Sequence, residues 1–271
     1  NFIKLADQTI DAAIVVNAAR DHALAIEKVI RYGIPALIEK PITLTYNETS
    51  KLEKLAIKAG VTLAAAHVFI FTRYLDNFAR LVLNFGKVRS IHVIWTDPIS
   101  ESRYGEPKNY DQGLPIFYDW LPHIISMISR FTVTKIINNI KIYFYRGGAH
   151  IEIDCMVNDI LCHIKMVRND DLRCREIKVE ANQTLKLDFS NEPGTISSIK
   201  GSICGDQKWD VEERPLAKML SSFLVQTVSG NIDKRLDITV ALNTSRLIDK
   251  VASLYNHALL SWLRSRLISP A

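Results

Sequence analysis

Three short, predominantly apolar runs, Ala12–Val16, Ile34–Ile38 and Val61–Ala66, constrain this chain most strongly. A strand with one wet face alternates apolar and polar side chains. A strand apolar along its whole length needs cover on both faces, as in a parallel sheet. The segments between the runs are amphipathic. His22–Tyr32 turns Ala23, Ile26, Val29 and Ile30 to one side, and Gly33 follows where a left-handed residue ends a helix. Thr45–Ala59 turns Leu52, Leu55, Ala56 and Ala59 inward, with Thr45 or Asn47 as the cap and Gly60 as the stop. Strand, helix, strand, helix, strand in that order predicts right-handed crossovers and a parallel sheet with helices on both faces.

The texture changes near residue 72. A helix over Tyr74–Phe85 and a strand over Lys87–Thr96 lead into a polar loop, Asp97–Gly113, and a helix over Asp119–Arg130. Runs of strand character follow at Ile140–Tyr145, Ala149–Val157, Ile160–Val167, Glu176–Glu180, Thr184–Phe189 and Gly194–Lys200, with Arg146-Gly147-Gly148 as a hairpin turn. Strands in succession without helices between them pair antiparallel. Helices over Pro215–Val228 and Leu236–Leu260 close the chain. The fold class expected is α/β: a partial Rossmann-type parallel sheet over residues 1–72, then an α+β domain over 73–271 built on a large, mainly antiparallel open sheet.

Composition excludes several classes of function. Apolar residues make up 48% and charged residues 23%, enough to bury real cores. No run approaches the ~20 apolar residues of a membrane-spanning helix. Charge is mixed, 34 basic against 29 acidic side chains, and no block of basic residues marks a nucleic-acid footprint. Cys155, Cys162, Cys174 and Cys204 lack the Cys-x-x-Cys spacing of structural zinc and read as reduced thiols of a cytoplasmic protein, with no metal expected. The N-terminal residues carry no secretory signal pattern.

Two clusters carry chemistry. Glu39-Lys40-Pro41 follows the second apolar run, and ligand crevices of open parallel sheets lie beyond the carboxyl ends of strands. An ammonium there can polarise a substrate oxygen, or it can be a solvated turn lysine. Asp119 and His123 stand one helical turn apart, so a carboxylate can tune a histidine acting as general acid or base. The plainer reading makes Asp119 a helix cap, with Pro122 in the first turn and His123 a buried core residue. His22, at the head of the first helix, and His67, at the end of the third run, are weaker candidates. Arg103, Tyr104, Lys108 and Tyr110, in the polar loop, are candidate substrate contacts. His92, His150 and His163 read as ordinary sheet residues.

Together these residues resemble the glucose–fructose oxidoreductase and inositol dehydrogenase (Gfo/Idh/MocA) family. The resemblance is carried by the run Ala12–Val16 with Asn17 and His22, by Gly33, by Glu39-Lys40-Pro41, by Asp119 with His123, and by Arg214-Pro215-Leu216 ahead of an amphipathic helix. It implies a two-domain oxidoreductase using NAD or NADP, which moves hydride to or from a secondary alcohol or ketone of a sugar or cyclitol. Lys40 and His123 would be the catalytic pair, tuned by Asp119. Asn17, His22, Glu39, Lys40 and Pro41 would lie near the cofactor, and His67, Arg103, Tyr104 and Lys108 near a sugar-like substrate. The antiparallel sheet would form a homo-oligomer.

The chain departs from this pattern in two places. No Gly-x-Gly occurs anywhere in it, so the family's phosphate-binding turn is absent. The expectation is a C-terminal portion of a longer enzyme that binds nicotinamide cofactor poorly by itself. Trp120-Leu121-Pro122, between the paired residues, is bulkier than the family's usual residues. The alternative is a non-catalytic carbohydrate-binding or assembly module of the same fold; a plain structural subunit is a third reading.

Overall fold

The computed structural model describes residues 10–100, 102–103, 106–107, 113–212 and 214–268. Its first lobe is a parallel sheet of β1 (Ala13–Val15), β2 (Ala36–Glu39) and β3 (Leu63–Ala66) in that spatial order. Helices α1 (His22–Arg31) and α2 (Tyr46–Ala59) make the crossovers. Thr45 caps α2 by accepting from the Glu48 backbone N–H at 3.2 Å, and Gly60 ends it at φ 67°, a conformation that costs glycine no Cβ clash.

Both faces of β2 and β3 are covered, from different parts of the chain, whereas β1 is covered on one face only, with Ile14 54% exposed. Val15, Ala36, Ile38, Leu63 and Ala65 pack with Ile26, Val29, Ile30, Leu52 and Ala56 of α1 and α2. Leu37, Ala64 and Ala66 pack on the other face against Met219 and Phe223. Those two residues belong to α5 (Pro215–Ser229), near the end of the chain. The apolar character of the second and third runs is thereby explained, with the second cover coming from beyond residue 72; in the first run Ile14 and Val16 stay exposed, against the expectation of cover on both faces.

The second lobe opens with α3 (Arg73–Asn84) and β4 (Ser90–Pro98). The two-residue strands β5 (Ser102–Arg103) and β6 (Glu106–Pro107) pair with each other, and α4 (Ile116–Ile128) follows. Its sheet combines β4 with β7 (Ile137–Tyr145), β8 (His150–Val157), β9 (Ile160–Asp170), β10 (Cys174–Glu180), β11 (Thr184–Asp188), β12 (Thr195–Ser198) and β13 (Gly201–Cys204). The order is β13-β12-β11-β10-β4-β9-β8-β7. Every pairing in it is antiparallel except β4 with β9, where the early strand is inserted parallel into the middle of the sheet. β8 alternates without a break, with Ile151, Ile153, Cys155 and Val157 buried, so one face meets helices and the other stays partly wet. The helical layer includes α3, α4 and α6 (Thr239–Ile268), which supply Phe78, Leu121, Ile125, Leu247 and Val251 to one core.

α6 also touches the first lobe. The Asp249 carboxylate accepts from the Tyr46 N–H at 3.1 and 3.2 Å, and Ser245 and Thr49 share a buried hydroxyl contact of 3.1 Å. α5 and α6 therefore tie the lobes together on either side of the parallel sheet. Among the described residues no helix is long and apolar enough to cross a membrane.

Candidate active site

The site starts at the carboxyl end of β2. The β2 pleat buries Leu37 and Ile38 on opposite faces, and Glu39 and Lys40 emerge where the strand ends. His22 braces this turn. Its Nδ1 lies 2.8 Å from the Pro41 carbonyl oxygen and its Nε2 lies 2.9 Å from that of Asn17. With 1% exposure, its ring works as a strut between the ends of β1 and β2. The five residues assigned to the cofactor, Asn17, His22, Glu39, Lys40 and Pro41, therefore form one cluster. Burial pushes the Glu39 carboxyl above its usual range, and the nearby Lys40 ammonium offsets part of that.

Lys40 reaches across to the second lobe. Its Nζ donates to the Asp119 carboxylate at 2.5 Å and to the Asp119 backbone carbonyl at 2.9 Å. The two side chains are 11% and 31% exposed, so solvent screens this charge-assisted contact only in part. The structure corrects the capping assignment for Asp119. α4 begins at Ile116 with Pro115 in the cap position, which puts Asp119 inside the first turn, where a carboxylate also meets the positive end of the helix dipole. Pro122 likewise lies inside the helix, where its missing N–H leaves the Tyr118 carbonyl without its i+4 donor. Arg168 of β9 stands 4.0 Å from the second Asp119 oxygen, so this carboxylate links β2, α4 and β9.

His123 follows Asp119 by one turn. Its ring stacks on Trp95 at 5.7 Å between centroids with an 8° interplanar angle, and meets the edge of Phe69 at 5.0 Å. Phe69 in turn lines a cavity of about 570 Å³ between the lobes, with Glu39, Thr72, Arg173, Phe189 and Glu192 among its other walls. Lys40 and Asp119 are thus joined directly, and His123 stands one helical turn on, against Phe69 of the cavity wall. The space suits a small ring-shaped ligand: aromatic floor, two carboxylates, a guanidinium and a hydroxyl.

The remaining expected site residues fall elsewhere. His67 is 1% exposed and lines a small void with Lys40, Thr244 and Ser245, apart from the large cavity. Tyr104, Lys108 and Tyr110 lie outside the described residues, as does the side chain of Arg103. The structure adds Trp95, Arg173 and Glu192 to the residues the sequence singles out. Arg173 and Glu192 come from turns of the second sheet, and no local pattern distinguishes them from surface charges.

Fold and site together define a two-lobed scaffold, with a βαβ lobe facing a sheet lobe across a cleft. Residues 3–67, about a quarter of the chain, match the family model described as "Oxidoreductase family, NAD-binding Rossmann fold" (GFO_IDH_MocA). A dehydrogenase from Comamonas testosteroni named 1-carboxy-3-chloro-3,4-dihydroxycyclohexa-1,5-diene dehydrogenase is 25% identical over 131 residues, covering 47% of this chain. The matched stretch is 33% of that relative's length. UDP-N-acetylglucosamine 3-dehydrogenase GnnA from Acidithiobacillus ferrooxidans superposes with a TM-score of 0.77 at 17% identity, over 92% of this chain and 79% of that one. GenD2 from gentamicin A biosynthesis, solved in complex with NAD, superposes with a TM-score of 0.74 at 13% identity, over 93% of this chain and 78% of that one. At these identities the structural likeness speaks for the fold.

Proposed function

We propose that this chain is the catalytic part of an NAD- or NADP-dependent oxidoreductase acting on a secondary alcohol or ketone of a sugar or cyclitol. One observation carries the reading: an ammonium at the end of a parallel strand is held on a carboxylate one helical turn before a histidine, beside an interlobe cavity. A bare carbohydrate-binding module has no need of such an arrangement.

The residues present suit the nicotinamide end of the cofactor. Asn17, His22, Glu39 and Lys40 cluster at the carboxyl edge of the sheet, where such ligands lie. The chain has no Gly-x-Gly turn to hold a pyrophosphate. When bound, the nicotinamide ring supplies the hydride donor or acceptor. Lys40, held in place by Asp119, brings its positive charge to the substrate oxygen, where negative charge develops. His123 accepts the hydroxyl proton in oxidation and returns it in reduction. Phe69 and Trp95 shield that imidazole from bulk water. Phe189 offers an apolar face to a sugar ring, and Glu39, Glu192 and Arg173 are placed to bond its hydroxyls. The partly wet face of the large sheet is available for a second copy of the chain.

The test uses the full-length protein with NADH and NADPH against a panel of keto-sugars and cyclitols. Lys40→Met and His123→Gln should each lower turnover by about 100-fold or more, the usual weight of a general acid–base. Unchanged turnover in both would exclude the reading.

A further inference from the structure

The pattern of the second sheet calls for an apolar residue where Arg175 stands. β10 buries Ile177 and Val179 on its helix-covered face, and Arg175 occupies the same alternation at 1% exposure. Burying a guanidinium is costly, and apolar replacements of such pairs are often neutral or stabilising, so packing does not account for this residue. The position is built with care. Arg175 donates to the Asp97 carboxylate and to the Thr96 carbonyl, and to the Cys174 carbonyl at 2.9 Å. Asp97 is fully buried.

Arg175 is cross-strand partner to Trp95, and its guanidinium carbon stands 4.2 Å from the Trp95 ring centroid. The same indole stacks on His123. The geometry points to Trp95, Arg175 and Asp97 as a positioning unit for His123. The ion pair anchors the guanidinium, the guanidinium holds the indole, and the indole sets the plane of the imidazole. Phe69 closes the edge.

The unit also sets the charge environment of His123. An indole face attracts an imidazolium, but this indole already carries a cation. A protonated His123 would share the ring with Arg175, whereas a neutral imidazole does not compete. Among the described residues the other charges near the unit include Asp119 one turn before the ring, Lys40 on Asp119, Arg168, which lies 4.0 Å from Asp119 and 5.8 Å over Trp120, and the partly exposed Arg173, 3.9 Å from Asp97. They are common to every variant below. This inference rests on reading His123 as the proton carrier.

The test follows the imidazole Cε1–H of His123 by NMR, assigned by its loss in His123→Gln, across a pH titration without cofactor. Trp95→Leu should remove the ring-current displacement of that signal and lower its midpoint by about half a pH unit. Trp95→Phe keeps the packing and should shift it part of the way. Arg175→Met combined with Asp97→Leu removes the competing cation together with its buried counter-charge, takes from the partly exposed Arg173 only a 3.9 Å contact, and should move the midpoint upward. Should Trp95→Phe and the double variant, both folded, leave chemical shift and midpoint at wild-type values, the positioning role is overturned. Full activity in His123→Gln would instead remove the catalytic reading and leave the stacked unit standing.

Discussion

His67 gives the sharpest quantitative expectation. It is 1% exposed, and neither ring nitrogen meets a protein hydrogen-bond partner among the described residues. Burial, reinforced by the charge of Lys40, pulls its pKa from 6.5 to about 4. The folded protein therefore holds this imidazole neutral where the unfolded chain would protonate it. Because the folded pKa is the lower one, the stability linked to His67 is complete above about pH 6.5. It drains as pH falls toward 4, where the unfolded state binds more protons. A displacement of about two and a half pH units, at about 1.4 kcal/mol per unit, amounts to about 3 kcal/mol. His67→Leu removes the titrating group and leaves the carboxylates that contribute to acid unfolding in both proteins. Urea unfolding at half-unit steps between pH 7 and 4 should show the wild type losing about 3 kcal/mol more than the variant over that range. Parallel curves would mean that His67 is solvated or paired, and the reasoning from burial would fail.

Three further expectations follow from the packing. Gly148 has φ 92°, and a Cβ there would come within 2.1 Å of the Tyr255 hydroxyl, so Gly148→Ala should cost about 2–3 kcal/mol of unfolding free energy. Gly33, at φ 68° with open space around it, should lose only about 1–2 kcal/mol on the same change, read from the same denaturation midpoints. Arg175→Met alone leaves Asp97 buried without its principal cation and should destabilise by about 3–5 kcal/mol, while adding Asp97→Leu should recover most of that loss in thermal or urea melts. Fluorescence titration of this chain with NADH should show no micromolar binding, because no glycine-rich turn is present to hold the pyrophosphate; a micromolar Kd would refute that.

Much of the local structure is legible in the residues. The apolar runs, Thr45 and Gly60 mark β1 to β3 and α2 to within a few positions, because periodicity and capping act over a single turn. Glu39-Lys40-Pro41 and the Asp119–His123 spacing are visible for the same reason. Neighbours in the chain suggest a cap at Asp119, whereas its partner Lys40 lies 79 residues away. The strand β13 leaves no mark in the sequence, because all four of its residues are exposed at the sheet edge and show no buried alternation.

The sequence alone determined where most of the strands and helices lie and which residues could do chemistry, since those properties follow from each residue's own backbone preference and polarity. Tertiary structure decided which charges meet, which helix covers the second face of the parallel sheet, and that β4 runs parallel to β9. It also decided that His67 and Arg175 are sealed from water. Coulomb attraction and desolvation depend on distance and surroundings in space, and chain order carries neither.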